Sequence, residues 1–237
     1  MLFVTTECDF HDRGLFHGPP VQGQFKDRDV RKGELTRKKI IETAAPVFNR
    51  LGFSRTSMSE LMAATGLEKG GLYRHFESKE ELALESFNHA AHLMEHAKFD
   101  RSIETRRPFQ KLEEFVRTFA NASSPIPGGC PVFNAAVEHD DGNQKLKSRA
   151  KETYQRWTAL LATWVEAAQS AKELNTKLKP RNVAAYMLCT LEGALIARNL
   201  LGSPEPLLAA EGALLDYLNM NRLSTTTRST RRKAQEV

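Results

Sequence analysis

Cysteine is scarce in this chain: Cys8, Cys130 and Cys189 are the three among 237 residues, and no two stand close together. So sparse and odd a count excludes a disulfide framework and a cysteine-built zinc site, and it points to a reducing compartment. Long apolar runs are missing too, none approaching the roughly 20 residues that cross a bilayer as a helix. The first residues lack a basic segment followed by an apolar one, so no secretory leader and no membrane are expected, and the protein is placed in the cytoplasm. Charge of one sign is also absent, since 34 lysines and arginines are set against 29 aspartates and glutamates. The net charge of +5 permits nucleic-acid binding without demanding it, so what matters is where the cations fall. Missing as well are a nucleophile and base at a recognisable spacing and a glycine-rich phosphate loop, which counts against an enzyme.

What is present is concentrated between residues 57 and 79, SMSELMAATGLEKGGLYRHFESK. Ser57 with Glu60, and Ser78 with Glu81, are capping-box signatures at two helix starts. Gly66 stands where a tight turn between two short helices needs a positive φ. Leu61, Leu67, Leu72 and Phe76 supply apolar anchors. Lys69, Gly70, Gly71, Tyr73, Arg74 and His75 are left facing outward, a basic and aromatic set with little bulk at its front. That suits a helix whose first turn enters a DNA groove.

The longer run from Gly52 to Phe87, GFSRTSMSELMAATGLEKGGLYRHFESKEELALESF, resembles the DNA-binding half of the TetR family of bacterial transcriptional regulators. LYRHF followed by SKEEL is its most diagnostic part. The resemblance implies an all-α fold with two domains. Residues 34–94 would form an N-terminal three-helix DNA-binding unit with a helix-turn-helix, and residues 95–221 a C-terminal helical domain for ligand binding and dimerisation. It implies DNA contacts from Lys69, Gly70, Gly71, Tyr73, Arg74 and His75, with Ser57, Ser59 and Lys79 on phosphates at the flanking helix starts. Double-stranded DNA with a palindromic operator, and an unknown small-molecule inducer, are the implied partners. No cofactor is expected.

Outside the reader, residues 1–33 carry no sustained period and read as a disordered extension, with Arg28, Arg31 and Lys32 as a candidate DNA-reaching arm. A first helix is expected from Thr36 to Leu51, bent at Pro46 and stopped by Gly52. A fourth helix follows from Lys79 to Lys98. Its row Glu85, His89, His92 and His96 lies on one face, which a straight helix cannot wrap around a tetrahedral ion, so a solvated face is preferred. An amphipathic segment runs from Arg107 to Asn121. After a proline- and glycine-rich break, Cys130 stands at the front of a further helix, where exposed N–H groups lower a thiol pKa. Related cysteine-containing turns occur in TetR-like proteins that sense electrophiles or oxidants, so Cys130 is a candidate thiol sensor. The alternative is a small packed residue beside a turn.

A long helix from Asn143 to Leu174 presents Tyr154, Trp157, Leu161 and Trp164, which line either a ligand pocket or ordinary core. The last two helices, opening at Pro180 and at Ser203–Pro204, are rich in alanine and leucine and suit a homodimer packed across a two-fold axis. A basic tail, residues 222–237, is expected to be disordered. The functional expectation is a repressor released from its operator by a small molecule or by thiol modification. The competing readings are an all-helical enzyme and a helical adaptor without a specific DNA site.

Overall fold

Where the sequence pattern sets the first helix at Thr36, the chain is already helical from Gln24. Helix α1 (Gln24–Leu51) runs straight through Gly33 and ends at Gly52, whose φ of 84° is the left-handed conformation of a helix stop. The computed structural model describes residues 24–138 and 143–223, with side chains from Lys32 onward. Residues 24–33 therefore belong to an element and not to a disordered extension, while residues 1–23 lie outside the described residues. The longer helix has a simple cause: an internal glycine costs only about 1 kcal/mol relative to alanine, too little to stop a helix. Pro46 stays inside α1, as expected.

Three helices and the start of a fourth make a small head. Ile40, Ala44 and Phe48 of α1, Leu61 of α2 (Met58–Thr65), and Leu72 of α3 (Lys69–Tyr73) join Phe76 and the Leu82–Ala83 pair of α4 (Lys79–Glu104) in one buried cluster. Each large side chain sealed there contributes about 1.5–3 kcal/mol. Helix α4 extends past Lys98 to Glu104, so it crosses from the head into the body.

The body is built from the rest of α4 with α5 (Pro108–Asn121), α6 (Pro131–Glu138), α7 (Gln144–Ser170), α8 (Pro180–Leu201) and α9 (Glu205–Met220). Helix α5 buries Phe109, Leu112, Phe115, Val116 and Phe119 at helical spacing, against Trp157, Leu161 and Trp164 of α7 and the inner faces of α8 and α9. Helix α8 is, among the described residues, the one helix long and apolar enough to span a bilayer by composition. Its inner face is packed inside the body, and it carries the buried Glu192, so it is a core helix. The expected tail begins later than Arg222. Arg222 pairs with Leu174 in an isolated antiparallel bridge and stacks 4.4 Å over Phe109, and the Leu223 N–H donates to Glu173 at 2.9 Å. Residues 224–237 lie outside the described residues.

Candidate nucleic-acid interface

The turn between α2 and α3 is made by local chemistry. The Ser57 N–H donates to Glu60 Oε2 at 2.6 Å and the Glu60 N–H returns to Ser57 Oγ at 3.2 Å, which completes the capping box. The Ser57 N–H first, and then the Ser57 hydroxyl, hold the Glu60 carboxyl below the usual carboxylate range. Gly66 closes α2 with φ 68° and gives its N–H to Met62 O at 2.9 Å. The second capping box is only half formed. Ser78 Oγ accepts from the Glu81 N–H, but the Glu81 carboxylate takes the Glu77 N–H and the Arg37 guanidinium instead. Arg37 lies 4.6 Å over Phe76, so this ion pair ties α1 to the end of the reader.

With Leu72 and Phe76 turned into the head, the other face of α3 is open. Lys69, Gly70, Tyr73 and Arg74 are exposed, while Gly71 and His75 are half-buried. Lys69 Nζ sits 5.9 Å over the Tyr73 ring, so cation and aromatic form one surface. A Cβ built on Gly70 would meet nothing within 4 Å, and one on Gly71 only the Leu67 side chain at ordinary contact distance. Nothing in the protomer asks for a glycine at 70, yet a helical glycine costs about 1 kcal/mol against alanine. Lys79 folds back over the Phe53 ring at 4.6 Å. Ser59 is exposed on the first turn of α2. Ser57 is exposed as well, but its hydroxyl lies 2.9 Å from Glu60 Oε2 and serves the cap, which leaves Ser59 the freer hydroxyl at that helix start.

The same architecture is found in known proteins. Residues 40–85 match the family model described as bacterial regulatory proteins, tetR family, and residues 108–214 match the tetracyclin repressor-like C-terminal domain. A TetR transcriptional regulator of known structure from Chloroflexus aurantiacus is 35% identical, with a TM-score of 0.77 over 82% of this chain and 100% of its own. The chain belongs to the TetR family. A second TetR-family structure, from Cytophaga hutchinsonii, is 28% identical with a TM-score of 0.75, covering 81% of this chain and 98% of that one. Among characterised relatives, the HTH-type transcriptional repressor DhaR of Mycobacterium sp. (strain GP1) is 23% identical over 72% of this chain and 86% of its own length. The protein is a transcriptional regulator with a DNA-binding domain, not an enzyme.

In this TetR-family chain the head is fastened to the body by a set of hydrogen bonds that sequence reading missed. Glu138, at the end of α6, accepts the N–H groups of Phe53 at 2.8 Å and Ser54 at 2.6 Å, just beyond α1. This end of α6 is therefore engaged with the head and not left to solvent. The Asn134 amide donates to the carbonyl and side chain of Asn49, and Asn49 donates in turn to the carbonyls of Pro127 and Gly129. Gly128 has φ 100°, and a Cβ there would lie 2.6 Å from the Asn49 carbonyl oxygen, so only glycine lets the loop approach α1 this closely.

The regulatory candidates in the body divide differently from the sequence expectation. Cys130 is 3% exposed and stands before α6 beside Glu192. Burial first, and then the Glu192 carboxyl, push its thiol well above the ordinary range, outweighing the Val132 and Phe133 N–H groups that pull it down. The helix-front effect expected for a sensor is present and loses. Glu192 itself is 0% exposed, its carboxyl faces the Cys130 thiol and the Lys98 ammonium, and burial pushes it up to about 7. Lys98 Nζ donates to the carbonyls of Phe119 at 3.0 Å and Ala122 at 2.6 Å, and burial brings it down to about 8.

Trp157, Leu161 and Trp164 are packed core, the two indoles lying 5.7 and 6.1 Å from Phe99. Tyr154 stands apart from them, 3.6 Å from the Cys189 sulfur, in a groove of about 350 Å³ with Gln155, Thr158 and Arg181. The four residues do not wall one chamber. Among the described residues no group of histidines, cysteines and carboxylates is placed to hold a metal ion. His92 and His96 instead meet each other at 3.0 Å on an exposed face of α4.

Proposed function

We propose that the protein is a homodimeric repressor that inserts α3 of each subunit into the major groove at the two halves of a palindromic operator, in the cytoplasm. The observation that carries this reading is the glycine at 70, where a Cβ would meet nothing, beside exposed Lys69, Tyr73 and Arg74. A side chain is missing where a DNA backbone or base edge comes close, and cations stand beside the gap. Lys69, Gly70, Gly71, Tyr73, Arg74 and His75 then face the groove, with Ser59 and Lys79 on the phosphates and Ser57 holding the helix start that presents Ser59. Repression is supported by the function in DhaR's name.

Pairing through α8 and α9 is supported by their outer faces. Tyr186, Ile196, Leu200 and Leu208 are exposed there, and Gly193 and Gly212 open onto empty space in mid-helix, which lets two helices pack closely. Release by a small molecule in the body fits better than thiol chemistry, because a buried thiol with a raised pKa is a poor nucleophile. The ligand's signal reaches the head through α6, whose Glu138 and Asn134 hold the end of α1. Selection from a random pool of duplexes should return a palindrome with half-sites about one helical turn or a multiple apart. A pool that emerges unenriched rules the reading out.

A further inference from the structure

The seam between head and body contains a cavity as well as hydrogen bonds. It lies among α1, α4, α6 and α7 and has a free volume of about 40 Å³. A water needs roughly 10–15 Å³ of such volume, so the space takes about three waters or one molecule of about three to five non-hydrogen atoms. Phe48, Phe53, Phe87, Ala135 and Leu146 give it largely apolar walls. One polar group in the lining makes no hydrogen bond. Ser86 is 1% exposed, and its Oγ has no hydrogen-bond partner. A helical serine usually relieves itself on the carbonyl one turn back, and buried hydroxyls in folded chains are seldom left unpaired. Glu138, Asn49 and Asn134, which fasten the head, line the same space.

We propose that this cavity is an effector site, separate from any ligand chamber in the body, for a small neutral molecule with an apolar skeleton and one hydroxyl. The Ser86 Oγ supplies the hydrogen bond, the phenyl and aliphatic walls take the skeleton, and the Glu138 carboxylate turns anions away. An occupant touches the residues that hold α1 to α6, so its binding stiffens the seam and biases the angle at which the head is carried. The regulatory consequence rests on the reading of the chain as a DNA-binding repressor; the binding does not.

The test uses the full-length protein with 1-propanol at millimolar concentration, and sodium propionate and ethylene glycol as comparisons. Amide hydrogen exchange is followed at Phe53 and Ser54, the donors to Glu138, alongside operator binding. 1-Propanol is expected to slow exchange at both amides several-fold and to change operator affinity, while propionate and ethylene glycol do neither. Ser86→Ala keeps the room and loses the hydroxyl, so about tenfold more alcohol is needed, the value of one hydrogen bond. Ser86→Leu takes up much of the space, starts with slow exchange and gains little from alcohol; Ser86→Ala carries the test should that variant not fold. Equal responses to all three solutes, or a Ser86→Ala protein that responds like wild type, would mean the space holds only water and would overturn the proposal. An intact exchange response without operator binding upholds the site and removes the repressor reading. Operator binding without an exchange response does the reverse.

Discussion

At the scale of single residues, the informative positions are those that cost the fold something. Gly70 is one. Replacing it with alanine should raise stability by about 0.5–1 kcal/mol, since helix propensity improves and nothing is struck. The same change should weaken operator binding by tenfold or more, on the order of one lost close contact. A denaturant melt and a binding titration on one preparation check both, and a variant gaining stability with unchanged affinity would remove Gly70 from the interface.

Glu192 is the other. Its folded-state pKa, raised to about 7, means that the native body prefers the protonated carboxyl. That contribution is whole below the ordinary carboxylate range and is lost as pH rises through about 7. Lys98 and Cys130 face it, and Lys98, lowered to about 8, is a cation below that pH, so it offsets part of the loss. Glu192→Gln should therefore be nearly neutral at pH 5 and stabilising by about 1–3 kcal/mol at pH 8. Thermal melts across that range, showing a gain that does not grow with pH, would contradict it.

At the scale of elements, the decisive feature is the grip of α6 on the end of α1. Glu138→Ala leaves the Phe53 and Ser54 N–H groups without their carboxylate and should cost about 1–3 kcal/mol. Its particular signature is faster amide exchange around residues 52–56 with the body unchanged. Uniform loosening of the whole chain would assign Glu138 to general stability only.

This grip also marks where the sequence stops being legible. The α2–α3 turn could be read because its causes are local: Ser57 caps onto Glu60 three residues away, and Gly66 closes the helix beside it. The start of α1 was not legible: the apolar spacing begins near Thr36, yet the Thr36 hydroxyl donates to the Lys32 carbonyl within a continuing helix. Glu138 and Phe53 stand 85 residues apart, and no periodicity links them. The same limit applies in the body. The spacing of Trp157, Leu161 and Trp164 fixed a buried face, but whether that face closes on a ligand or on Phe99 and Phe115 depends on another helix. For Cys130, the dipole that lowers a thiol pKa was visible in the sequence, and the burial that raises it was not.

At the scale of the whole molecule, the proposed function requires two heads held at the spacing of two half-sites. The exposed faces of α8 and α9 provide that in the proposed dimer, with Gly193 and Gly212 where the subunits come closest. A Cβ at Gly193 meets nothing within 4 Å, so the Gly193→Arg protomer should stay folded while sedimentation reports a monomer. Its operator affinity should fall by about two orders of magnitude or more as the two heads lose their linkage. A dimeric Gly193→Arg protein would move the contact elsewhere.

The central claim is that α3 reads base sequence in duplex DNA. It is tested most directly by titrating the dimer against its selected palindrome and a scrambled duplex over a range of salt concentrations. The account predicts binding to the palindrome at least about 10³-fold tighter than to the scramble at physiological salt, with both affinities falling as salt rises. Equal affinity for the two duplexes at every salt concentration would contradict it.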